Sequence, residues 1–238
     1  MPDFSIIIPT HNEENRIGDT LEQLSHFLRK NYGKNEFEII VIDDGTDRTE
    51  EIIGRFEKEK ENNIRIFHFG KRMGKGKALL EGMEKANGKY LITYDADGAT
   101  PASEIPKMLR ELKNNDIVIG SRMMCDSKIF GRIPLKRRLA SKGFNFLVNL
   151  LFGIGAKDTQ CGFKGLRKSA FEKLKGKFML GGFEWDVELL ARAKKQGMKM
   201  KEVGIEWHHK KEGKVKVTDT IGMLLGLLKL RIGMLKGN

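Results

Sequence analysis

The chain has 238 residues, 39% of them hydrophobic, and a formal net charge of +12. That size and apolar content support a substantial core and exclude a disordered chain; one α/β domain over residues 1–238 is expected. No apolar run is long enough to cross a bilayer as a helix, and Cys125 and Cys161 lie too far apart for a disulfide framework or zinc site.

The N-terminus enters a strand-like run directly at Ser5–Pro9, without a basic leader, so no signal peptide is expected and a reducing cytoplasm is the default setting. Further short apolar runs follow at Phe37–Ile42, Ile64–Phe67, Tyr90–Tyr94 and Ile117–Ile119. Helix-like stretches separate them at Glu14–Asn31, Thr49–Glu61, Lys77–Ala86 and Ile105–Asn114. This alternation predicts a Rossmann-like, mostly parallel central sheet covered by helices on both faces. Ligands of such sheets bind beyond the carboxyl ends of the strands.

The second half is less regular. A basic-apolar stretch covers Leu135–Phe152, a loop Asp158–Lys164, a helix Trp185–Gln196, a strand Met200–Trp207, and a second basic-apolar stretch Thr218–Leu235. Charge divides along the same line. Residues 1–121 hold 18 Lys and Arg against 22 Asp and Glu, whereas residues 122–238 hold 26 against 10. A Lys-rich composition explains abundant cations but not this split. A polyanionic partner for the second half is expected: nucleic acid, an anionic membrane surface or a phosphate-bearing acceptor. Few aromatics interleave with these cations, which ranks nucleic acid far behind the others.

Polar clusters stand after four of the five first-half strands: Pro9-Thr10-His11-Asn12-Glu13-Glu14, Asp43-Asp44-Gly45-Thr46-Asp47, Asp95-Ala96-Asp97-Gly98 and Gly120-Ser121-Arg122. Singly, each reads as a solvated loop or a helix cap; together they outline one cleft. Asp95 and Asp97, one residue apart at a strand end, repel each other unless a proton or cation is shared. Mg2+ or Mn2+ suits a carboxylate pair that also faces substrate phosphates. Asp43 and Asp44 offer acceptors to a base or ribose, and Lys75 and Lys77 sit in a Gly-punctuated loop that is either a diphosphate contact or a basic surface turn.

In order, these landmarks resemble the inverting family 2 glycosyltransferases of the GT-A fold. With Asp158-Thr159-Gln160-Cys161-Gly162-Phe163-Lys164 and Phe183–Leu190, they look like the dolichyl-phosphate β-glucosyltransferase branch, neighbour to the dolichyl-phosphate mannose synthases. The resemblance implies a nucleotide-sugar donor, UDP-glucose or alternatively GDP-mannose, and a polyprenyl phosphate acceptor. Carried over residue by residue, it makes Pro9, Thr10, Asn12, Glu13 and Asp44 the nucleoside pocket. Asp95 and Asp97 become the ligands of metal and diphosphate. Arg122, Arg137, Arg138, Ser141 and Gln160 become the acceptor side. His11 stands where the first motif usually carries an aromatic, a departure that bears on stacking with the base.

A phosphate nucleophile is already anionic and needs no general base, only cations that hold it in line. A saccharide hydroxyl, the alternative acceptor, needs a carboxylate base, for which Asp186 or Glu184 is available. Asp186 and Glu188 equally suit the N-terminus of a helix; a role for Asp186 near the acceptor is the reading preferred here. The stretches Leu135–Phe152 and Thr218–Leu235 mix large apolar residues with Lys and Arg, as helices lying in a headgroup plane do. Peripheral attachment to the cytoplasmic membrane face is therefore expected, with sheet cover or a homodimer contact as the alternatives.

Overall fold

A computed structural model describes residues 1–59, 63–210 and 217–235, with side chains of the last segment from residue 222 onward. Five strands of the first half appear at β1 (Phe4–Thr10), β2 (Phe37–Asp43), β3 (Ile64–His68), β4 (Tyr90–Thr93) and β5 (Ile117–Ser121). Helices α1 (Ile17–Asn31), α2 (Thr49–Lys58), α3 (Lys75–Lys85) and α4 (Ile105–Leu112) separate them. The end expected for α2 at Glu61 lies outside the described residues, and so does the side chain of Ile221.

Period-2 alternation divides the core. Ile6, Ile8, Ile39 and Val41 point to one face, where they meet Leu21, Leu24 and Leu28 of α1 and Met108 and Leu112 of α4. Ile7, Ile40 and Ile42 point to the other, against Leu79 and Met83 of α3. Strands covered on both faces are almost uninterrupted apolar runs, and β2 is buried along its whole length.

After β5 come β6 (Lys128–Phe130), α5 (Leu135–Phe152), β7 (Lys164–Arg167), α6 (Lys168–Leu174), α7 (Trp185–Lys195), β8 (Met200–Gly204), β9 (Glu206–His208) and α8 (Val217–Leu235). The main sheet runs β3-β2-β1-β4-β7-β5-β8, parallel except for β7, which pairs antiparallel with both β4 and β5. The Asp158–Lys164 loop thus ends by entering the centre of the sheet. Periodicity did not reveal β7, because Lys164-Gly165-Leu166-Arg167 carries one large apolar side chain. Its position depends on tertiary contacts: Lys164 is wholly buried, and its ammonium donates to the Cys161 carbonyl and to Asp186 Oδ1. The strand expected at Met200–Trp207 is two pieces, and its second part forms a small parallel sheet, β6-β9.

Among the described residues no helix is long and apolar enough to cross a membrane. Helix α5 buries only Val148 and leaves Leu135, Leu139, Phe146 and Leu150 exposed. Helix α8 packs through Met223, Leu227 and Leu230 and exposes Leu225, Leu228, Ile232 and Leu235.

The segment before α7 is held by Glu188. Its buried carboxylate accepts the backbone N–H groups of Met179 and Leu180 and the Arg192 Nε at 2.9, 2.8 and 2.7 Å. Replacing it removes three partners at once and strands the Arg192 charge in the core. Glu188→Ala is expected to destabilise the chain by about 3–5 kcal/mol, read as a lowered midpoint in urea unfolding.

Candidate active site

A cavity of about 520 Å³ opens where the chain reverses direction across the sheet, with β1 flanked by β2 on one side and β4 on the other. Pro9, Thr10 and Glu13 reach it from the end of β1, Asp44 from β2, and Asp95 and Asp97 from β4. Gly74 and Lys75 come from the start of α3, Phe183 and Glu184 from the segment before α7, and Arg137 from α5.

Asp44 is nearly buried, and both of its oxygens are engaged. Its Oδ2 accepts the N–H groups of Met73 and Gly74 at 2.6 and 2.9 Å, and its Oδ1 faces His11 Nδ1 at 2.9 Å. The Gly181 carbonyl accepts the next two free N–H groups, those of Gly76 and Lys77. The N–H groups of Met73, Gly74, Gly76 and Lys77 are therefore engaged within the chain. An anion in this cavity meets the Lys75 side chain, since most of the helix-terminal N–H groups already have acceptors.

Asp95 and Asp97 flank a tight turn. Gly98 has φ +61°, a left-handed conformation that glycine adopts without strain, and Asp97 Oδ1 accepts the Ala99 N–H at 3.0 Å. Gly162 lies so close that a Cβ there would stand 2.1 Å from Asp95 Oδ2. The Asp158–Lys164 motif thus supplies the floor under the carboxylate. Asp95 Oδ1 is 2.9 Å from Lys75 Nζ. Burial opposes ionisation of Asp95, but the Lys75 ammonium, with Lys164 and Arg122 beyond it, outweighs burial and holds the carboxyl below the usual range. Asp97 moves the other way, raised first by burial and then by the Asp95 charge. One carboxylate has its cation and the other is short of positive charge.

That pair fits a divalent cation. Among the described residues no group of three or more His, Cys, Asp and Glu side chains forms a closed metal cage. An ion held by Asp95 and Asp97 would therefore draw further oxygens from substrate phosphates and water, as Mg2+ does in phosphate-handling sites.

A second cavity, about 750 Å³, is lined by Arg122, Arg132, Arg137, Arg138, Ser141 and Lys142, with Ile129, Leu135 and Trp207 among its apolar members; among the described residues no carboxylate lines it. Arg137 borders both cavities. The Arg122 guanidinium forks onto Asp158, Nε to Oδ2 at 2.7 Å and Nη2 to Oδ1 at 2.8 Å, and lies 5.4 Å over the Trp207 ring. Cys161 is buried between these charges, and burial above all pushes its thiol up to about 12.

Eleven of the sequence-derived site residues border a cavity: Pro9, Thr10, Glu13, Asp44, Lys75, Asp95, Asp97 and Arg137 the first, and Arg122, Arg138 and Ser141, again with Arg137, the second. Others stand behind the walls. Asp43 takes the Thr10 hydroxyl and faces His68 Nδ1, each at 2.8 Å. Asn12 accepts the Thr46 N–H. Lys77 is exposed beside Gly181, Gln160 is half-buried outside both cavities, and Asp186 is buried against Lys164. Given no site role from the sequence, Arg16, Arg72 and Phe183 border the first cavity and Arg132 and Trp207 the second, although Phe183 opens the Phe183–Leu190 motif. Arg16 carried a local signal, standing three residues after Glu13 and bonding to it.

A doubly wound α/β sheet with a carboxylate pair and an open cleft beyond its strand ends has the form of the GT-A fold. Residues 5–175 match the family described as Glycosyl transferase family 2, and the chain belongs to that family. It is 35% identical over 229 residues to glycosyltransferase AglD of Haloferax volcanii, covering 93% of this chain but only 36% of that protein. A dolichyl-phosphate beta-glucosyltransferase of Trichomonas vaginalis is 33% identical over 238 residues, covering 96% of this chain and 72% of the relative. That of Saccharomyces cerevisiae is 33% identical over 254 residues, covering 98% and 75%. Among solved structures, glucosyl-3-phosphoglycerate synthase from Mycobacterium tuberculosis with Mn2+, UDP and phosphoglyceric acid superposes with a TM-score of 0.71 at 17% identity, covering 98% of this chain and 79% of that one.

Proposed function

We propose that this glycosyltransferase moves a hexose, glucose from UDP-glucose, onto a polyprenyl phosphate of the dolichyl type with inversion at the anomeric carbon. The carrying observation is the arginine-lined second cavity, with no carboxylate among its described residues, which shares Arg137 with the cavity bearing Asp95 and Asp97. The names of the relatives support the acceptor, and the UDP bound in structural neighbours is consistent with the donor.

On this reading, residues 1–121 supply most of the donor site, while residues 122–238 close its far wall and face the acceptor and the membrane. Pro9, Thr10, Glu13 and Asp44 receive the nucleoside, with Asn12 and Asp43 shaping their loops. Lys75 meets the diphosphate. Asp95 and Asp97 hold Mg2+ or Mn2+, which when bound neutralises the charge that develops on the leaving diphosphate. Arg137 and Arg138, with Ser141 and the Asp158-anchored Arg122, hold the acceptor phosphate in line with the anomeric carbon. Because that phosphate oxygen is anionic at neutral pH, positioning and charge balance replace proton abstraction. The Lys164 ion pair at Asp186 argues against Asp186 as a base for a saccharide hydroxyl. Its part on this reading is to set the charge behind Lys75 and Asp95.

The exposed leucines and phenylalanine of α5 alternate with Lys136, Arg137, Arg138 and Lys142, beside the second cavity. Together with the outer face of α8, they form the surface proposed to rest on an anionic membrane at the cytoplasmic side.

Three outcomes follow from this assignment. Sugar transfer to a short polyprenyl phosphate is expected from UDP-glucose and not GDP-mannose, and chelator or Asp97→Asn should cut the rate by at least about a hundredfold. Transfer to a saccharide hydroxyl instead, or chelator-insensitive transfer, would refute the reading. Arg138→Ala should raise the KM for the polyprenyl phosphate about tenfold or more while leaving donor affinity near wild type, as separate titrations of the two substrates will read. Sedimentation with vesicles should show binding to anionic and not neutral lipid, weakened by salt and by charge reversal at Lys136 and Lys142; salt-insensitive binding to both would count against the membrane surface.

A further inference from the structure

Four side chains of alternating sign run from the interior to the donor cavity. Lys164 Nζ is 2.6 Å from Asp186 Oδ1, Asp186 Oδ2 is 3.9 Å from Lys75 Nζ, and Lys75 Nζ is 2.9 Å from Asp95 Oδ1. The inner pair has no freedom, since Lys164 is fully buried and Asp186 nearly so. Lys75 differs. Its backbone is tied down as the first residue of α3, while its side chain keeps 19% exposure to the cavity and has two carboxylates within reach.

A divalent cation taken up by Asp95 and Asp97 would claim the carboxylate that Lys75 occupies. An ammonium and a dication on one carboxylate repel strongly inside a cleft, where water screens them little. Lys75 must then turn toward Asp186 or toward another anion. The donor's diphosphate, entering the same cavity, is such an anion.

Building on the metal reading above, we propose that Lys75 is a positioning residue that competes with the divalent cation for Asp95, and that the donor's diphosphate relieves this competition. Turning Lys75 away from Asp95 is unfavourable for the cation by itself. Once the diphosphate has drawn the ammonium to itself, the same rearrangement no longer opposes the cation. Lys75 thereby makes nucleotide and metal strengthen each other's binding, by the same factor in each direction. It also disfavours loading of the carboxylate pair before a donor is present.

The test reads Mn2+ affinity, by electron paramagnetic resonance of the free ion, for the full chain as wild type, Lys75→Met and Lys75→Gln, each with and without UDP. Without nucleotide, both neutral variants should bind Mn2+ on the order of tenfold more tightly than wild type. The further gain on adding UDP should be smaller in the variants than in wild type. A purely structural role for Lys75 gives no such rise. Unchanged or weaker Mn2+ binding by both variants, with wild type binding normally, overturns the proposal and leaves the metal site standing. No Mn2+ binding by wild type with or without UDP overturns the metal reading and this proposal together.

Discussion

A lysine ammonium with no solvent exposure lies between the sheet and α7, and much of the site is arranged around it. Lys164 opens β7, the antiparallel strand wedged between β4 and β5. Its charge is met by Asp186 in the first turn of α7 and by the Cys161 carbonyl. Removing one partner of such a pair leaves an uncompensated buried charge, so the strand and the helix are held to each other. Asp186, anchored in this way, presents its second oxygen toward Lys75, and Lys75 in turn faces Asp95. An interaction made in the core thus reaches the carboxylate at the cavity wall.

The same segment performs a second task. Residues 158–164 join the second cavity to the first: Asp158 forks onto Arg122, Gly162 lies under Asp95, and Lys164 enters the sheet. The loop between α6 and α7 works similarly for the other wall. Glu188 fixes Met179 and Leu180, the Gly181 carbonyl closes the start of α3, and Phe183 and Glu184 then line the first cavity. Both segments are rich in backbone contacts and poor in periodic apolar residues, as expected of loops that carry function on a rigid scaffold.

Charge follows the division of labour. The acidic groups that matter are at the ends of β2 and β4, whereas the cations of the second half gather along α5 and around Arg122 and Arg132. Arg137 stands at the border of the two cavities. On the proposed reading, an anionic acceptor on one side and a diphosphate on the other would both feel it, with no general base required.

The parallel core, both helical layers and the strand-end positions of Thr10, Asp44, Asp95 and Asp97 were legible in the sequence. Apolar runs buried on both faces and helices with one apolar stripe leave a local pattern. The family motifs likewise marked Asp158–Lys164 as a unit, though as a loop. What the sequence left open depends on contacts between residues far apart in the chain. That Asp43 and Asn12 brace the wall while Asp44 lines it, that Lys75 and not Lys77 meets Asp95, and that Lys164 starts a central strand all follow from partners tens of residues away. By itself the sequence determined which strand ends bear the polar clusters, because burial imprints a period on the chain. Only the tertiary structure decided which charges meet, because a buried charge takes its place from its partner and not from its neighbours in sequence.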